Sequence, residues 1–146
     1  MSLTPFVTAP LVGWSLAAAL LLSLPAVWRW GRSGERECAL ALVFAVALDL
    51  AIQLLVPDAP ISLAHTIGTL LALLLVSRNA LSSARFYPLA MAAALLIAAI
   101  THGLFWSSLI NPKLSYPIIV TTMDAATIAA LWIGCMQNRS GLNHAD

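Results

Sequence analysis

The chain has 146 residues, 61% of them hydrophobic and only 9% charged, against roughly 25% charged in ordinary soluble domains. Seven basic and six acidic residues give a formal net charge of +1. These proportions exclude a soluble catalytic module and a basic nucleic-acid-binding surface. They point to an all-α, polytopic membrane helix bundle occupying residues 1–146 as one domain.

Residues 1–10 contain no Lys or Arg, so the positive start of a secretory signal peptide is missing. The apolar run at about 11–30 ends in Trp28, Arg29 and Trp30, the aromatic and basic flank of a membrane helix, with Pro25 in its last turns. The charged connection RWGRSGERE leads to a second span at about 37–56. From Cys38 to Val56 its apolar sequence is broken only by Asp49 and Gln53, and an ionisable group inside hydrocarbon is costly and commonly functional. Pro57 and Pro60 end it. A third, shorter span is expected at about 61–77, before Arg78 and Asn79.

A fourth span is expected at about 86–108, with Pro88 in its first turn and Asn111-Pro112-Lys113 beyond it. A fifth runs from about 117 to 136, opened by Pro117 and followed by a short polar tail. Five transmembrane helices place Arg29, Arg32, Arg36, Arg78, Arg85 and Arg139 on one side and Lys113 alone on the other. By the positive-inside rule the N-terminus is then outside and the C-terminus cytoplasmic. The alanine- and leucine-rich spans suit a multi-pass protein of a bacterial inner membrane. Cys38 and Cys135 fall at the cytoplasmic ends of spans 2 and 5 without metal-ligand spacing, so they read as buried thiols.

Small and polar residues recur at helical spacing. Ala41, Ala45, Asp49 and Gln53 form one stripe, and Ala90, Ala94, Ala98 and His102 another. Ala64, Gly68 and Ala72 form a third, beside His65, Thr66 and Thr69; span 5 adds Asp124 between Thr121 and Thr127. Such stripes let helices approach closely in lipid. At about 1.5 Å per residue, Asp49, His65, His102 and Asp124 all fall about 4–7 Å to the outer side of the bilayer centre. Four ionisable groups on four helices thus share one level.

That layer admits several readings. As internal bonding, Asp49 and Gln53 pair with His65, and Asp124 with His102, fixing helix register. As a proton-, cation- or small-solute-binding site of a transport protein, it opens outward, and two Asp and two His offer ligands for a divalent metal. As a cofactor site, His65 and His102 ligate a b-type haem, or the layer holds a quinone head group. The composition otherwise suits a non-catalytic accessory subunit that packs against lipid and other membrane subunits or against itself. The sequence contains no Gly-rich phosphate loop, G-x-S-x-G, H-E-x-x-H or C-x-x-C, and no nucleic-acid partner is expected. If the layer is a site more than a structural brace, the Asp49→Asn protein assembles normally in the membrane. Its loss from the folded fraction on size-exclusion chromatography would assign the layer to assembly.

Overall fold

The computed structural model describes residues 4–56, 60–82, 85–110 and 115–142, with the side chains at 4–16, 53, 61, 141 and 142 left out. The described residues form five helices: α1 (Thr4–Trp30), α2 (Ser33–Leu55), α3 (Ile61–Ser82), α4 (Phe86–Trp106) and α5 (Ser115–Leu142). Apolar stretches long enough to cross a membrane lie in α3, α4 and α5, at Ser62–Ser82, Phe86–Trp106 and Ser115–Ser140. A shorter apolar stretch, Ala17–Trp30, lies in α1. The helices fit a membrane protein.

The helix ends differ from the sequence expectations for local chemical reasons. Helix α2 starts at residue 33 instead of 37 because the Glu35 carboxylate accepts the backbone N–H of Arg32 at 2.8 Å, half of a capping box. Helix α3 continues past 77 to Ser82, so Arg78 and Asn79 are helical. Asn79 is tied by its side-chain amide to the Gly34 carbonyl at 3.0 Å, and Ser82 Oγ donates to the Asn79 carbonyl. Helix α4 stops at Trp106 instead of 108. Ser108 takes a positive φ of 59°, its N–H reaches the Phe105 carbonyl and that of Leu109 the Leu104 carbonyl. These are the two bonds of a Schellman motif. Helices α1 and α5 both exceed their expected spans, beginning at Thr4 and ending at Leu142. The Pro57–Pro60 turn and the Asn111-Pro112-Lys113 break fall largely outside the described residues.

Helices adjacent in sequence pack side by side, and α1 closes the bundle by lying against both α2 and α5. Helix α2 also touches α5. Small residues set the closest approaches. A Cβ on Gly68 would lie 3.0 Å from the Ala45 carbonyl oxygen, so the expected stripes of α2 and α3 do meet backbone to backbone. Ala41, Ala64, Ala72, Ala94 and Ala98 are buried with them. Toward the arginine-rich end the core gathers Val27, Leu42, Val76, Tyr87, Met91 and Leu131. Cys38 and Cys135 are free thiols buried in the same cluster. Leu22, Leu54, Leu74 and Leu81 stand exposed on the outside, as lipid-facing positions do.

The Tyr87 ring lies across α5 at Gly134, where an added Cβ would come within 2.8–3.0 Å of ring carbons. Gly134→Ala is therefore expected to cost about 1–3 kcal/mol by overpacking. Gly103, with nothing within 4 Å of an added Cβ, is the control. Gly103→Ala should be neutral or gain up to about 1 kcal/mol of helix propensity. Unfolding followed by circular dichroism in detergent reads both, and equal effects would contradict the packing described.

Candidate functional site

Asp49 sits on α2, His65 and Thr69 on α3, His102 on α4, and Asp124 with Tyr116 on α5. The bundle brings all six into one polar layer. His65 is at its centre: Nδ1 lies 3.4 Å from Asp49 Oδ2 and Nε2 lies 3.3 Å from Asp124 Oδ2. The second contact is off the line of a hydrogen bond, so Nε2 is close to a carboxylate yet poorly bonded. His65 is 33% exposed, Asp49 21% and Asp124 25%.

The expected pairing of Asp49 with His65 is present, whereas Asp124 meets His65 and not His102. Helix α5 carries Asp124 toward the α2–α3 seam, and the group it presents to His102 is Tyr116, two turns earlier. His102 is fully buried; Nδ1 lies 2.9 Å from Tyr116 Oη and Nε2 3.3 Å from Thr69 Oγ1. The His65 and His102 rings touch edge to face with centroids 5.4 Å apart. Tyr116 also lies against Phe105, centroids 4.3 Å apart. Tyr116 is not legible from the sequence as a site residue because it falls one residue before the expected start of span 5.

The supporting threonines divide. Thr69 enters the layer; Thr66 donates to the Ser62 carbonyl and accepts Trp106 Nε1 at 3.2 Å. Thr127 is buried but bonds back to Met123 within α5. Thr121 is half-buried and outside these contacts. The side chain of Gln53 lies outside the described residues.

The chemistry of this layer follows from its acceptors. Both nitrogens of His65 face carboxylate oxygens, so bonding on both sides requires either the imidazolium or a proton on one carboxyl. Two carboxylates and one imidazolium carry a net charge of −1, in a place where further neutralisation is favoured. With Nδ1 bonded to Asp49 and Nε2 only close to Asp124, the three groups together can accept a proton. A metal ion is less well served: the two carboxylates lie at opposite nitrogens of the ring, so no common point offers three donors at about 2.0–2.2 Å. Among the described residues no group of three or more His, Cys, Asp or Glu side chains is disposed to hold one. In this packing both nitrogens of each histidine also face protein oxygens, so neither ring presents a nitrogen to a haem iron.

A second polar cluster, not anticipated from the sequence, ties the opposite end of the bundle. Glu35 is fully buried, with Oε1 accepting Arg85 Nη1 at 2.8 Å and Asn138 Nδ2 at 2.6 Å. Its Oε2 caps α2. Arg85 donates as well to Asn138 Oδ1 at 3.1 Å. Nearby, Arg139 stacks over the Trp30 ring at 4.9 Å and Arg36 donates to the Trp28 carbonyl. These contacts gather Arg36, Arg85 and Arg139 at one end of the bundle. A neighbouring cavity of about 270 Å³ is lined by Arg32 and Arg85 together with Glu37, and Arg85 is already paired with Glu35.

The donors to Glu35 come from the cap of α2, from Arg85 before α4 and from Asn138 on α5, and losing Arg85 leaves a buried charge. Arg85→Ala is expected to cost about 3–5 kcal/mol, and Glu35→Ala a comparable amount. The double variant Glu35→Gln with Arg85→Gln should lose clearly less than the sum of the two alanine changes. Unfolding in mixed detergent measures this, and independent additive losses would contradict a shared network.

Comparison with family models, with curated proteins and with solved structures finds no match, so the functional reading rests on the chemistry of these side chains.

Proposed function

We propose that this chain is a five-span protein of a bacterial inner membrane whose Asp49–His65–Asp124 cluster takes up and releases a proton, as part of proton-linked transport. The observation that carries the reading is His65 held between two carboxylates, at 3.4 and 3.3 Å, while all three groups stay a fifth to a third exposed. A purely structural brace would be expected to bury and saturate its groups, as the Glu35 cluster does. The off-line contact at Nε2 supports a site whose bonding changes with its proton count.

Orientation supports the same reading. The arginine-rich end suits the cytoplasmic face, which sets the Asp49–His65–Asp124 level toward the outer one. With α1 and α2 counted as spans, the polar groups lie within hydrocarbon, where ionisable residues commonly mark ion or proton paths. A role as a non-catalytic subunit of a larger membrane assembly draws no observation of its own, because outward leucines suit lipid as well as a partner helix.

Infrared titration of the protein in lipid nanodiscs tests the reading. A carboxylic C=O stretch should grow as pH falls, and Asp49→Asn and Asp124→Asn should each remove or shift it. His65→Gln should move its midpoint. A titration identical in wild type and both aspartate variants would overturn the reading.

A further inference from the structure

Resting on that reading, we propose that His102 and Tyr116 are the proton's route between the Asp49–His65–Asp124 cluster and the outer face. His102 is fully buried, yet both of its nitrogens are engaged by hydroxyl groups, Tyr116 Oη at 2.9 Å and Thr69 Oγ1 at 3.3 Å. A hydroxyl both donates and accepts, so either neutral tautomer of the ring is bonded on both sides. That distinguishes His102 from His65, whose two carboxylate partners can only accept while ionised and gain a donor only on protonation.

The geometry sets an order. Tyr116 lies in the first turn of α5, is only partly buried and marks the end of the bundle remote from the Glu35 cluster. His102 follows, in edge-to-face contact with both the Tyr116 ring, centroids 5.5 Å apart, and the His65 ring, centroids 5.4 Å apart. A proton reaching Tyr116 Oη from outside releases the hydroxyl's own proton to His102 Nδ1. The proton on His102 Nε2 then goes to the Thr69 hydroxyl that faces it, and that hydroxyl, one turn from His65 on α3, releases its own proton toward the deprotonated cluster. Tyr116 ends neutral, His102 ends as the other neutral tautomer, and one proton has been added to the cluster.

The ionisable groups around His102 are Asp49 from α2, His65 from α3, and Asp124 and Tyr116 from α5. Helix α1 carries no titratable residue before Arg29. Tyr116 and His102 are thus the ionisable side chains that separate His65 from the outer end of α5 among the described residues.

The test uses proteoliposomes in which the protein's outer face meets the bulk solution. After an acid jump outside, the rate of growth of the carboxylic C=O band is read, alongside its equilibrium midpoint. Tyr116→Phe keeps the ring that lies against Phe105 but removes the hydroxyl. His102→Gln keeps a donor and an acceptor but has no second tautomer to carry a proton through. Both are expected to slow the band by about 10-fold or more, the lower range of what a positioned proton-transfer group contributes. Tyr116→Phe should leave the midpoint in place, a split that a purely packing role would not produce. Wild-type rates in both variants would overturn the route while the cluster stands. A band insensitive to Asp49→Asn and Asp124→Asn would remove the cluster itself, and the route with it, before any rate is compared.

Discussion

The bundle depends on a carboxylate that has no water to turn to. Glu35 is fully buried, and its charge is tolerable because Arg85, Asn138 and the Arg32 backbone all donate to it. Those donors come from α2's own first turn, from the start of α4 and from the end of α5, while Asn79 fastens the end of α3 to the adjoining Gly34 carbonyl. Within an apolar bundle the hydrophobic effect gives little direction to helix association, so polar contacts and close backbone approach define the arrangement. A satisfied ion pair of this kind is weak evidence for added stability but specifies geometry well, since few other arrangements satisfy all its donors.

With one end so fixed, the small-residue seams carry the geometry along the helices. Gly68 against Ala45 holds α3 close to α2, one turn from both Asp49 and His65. That proximity is what lets a histidine on one helix reach an aspartate on the next at 3.4 Å. Gly134 does the same at the other end by admitting the Tyr87 ring. The polar layer is therefore a consequence of backbone approach set elsewhere, and the contacts within it do not have to hold the helices together unaided.

Much of the layer was legible from spacing because helical period and rise are nearly constant: four ionisable residues at one depth could be located, and three stripes assigned to buried faces, before any packing was known. What could not be read was rotational phase. Depth alone cannot say whether Asp124 faces His65 or His102, since the answer depends on a turn of α5 about its axis. The Glu35 cluster was invisible for a different reason. With α2 expected to begin at residue 37, Glu35 looked like one charge among several in a connection. A helix that starts four residues earlier converts it into a capping and core residue. Asn138 and Asn79 were likewise assigned to polar ends, although helices α5 and α3 continue through them. Charged residues at span borders carry two meanings, solvated flank or buried lock, and composition does not separate them.

The two histidines show how partner chemistry divides roles between identical side chains. His65 faces carboxyl oxygens on both sides, and the proposed function has that cluster take up a proton. His102 faces hydroxyls, which accept either tautomer, so its bonding survives the passage of a proton through the ring. Placing the first among three part-exposed charged groups and the second in a fully buried site between hydroxyls gives each what it needs. The Glu35 end offers neither property, because all of its donors are committed to one carboxylate. In a bundle locked at that end, the proposed proton exchange falls to the opposite one, where the hydrogen bonds are longer and fewer.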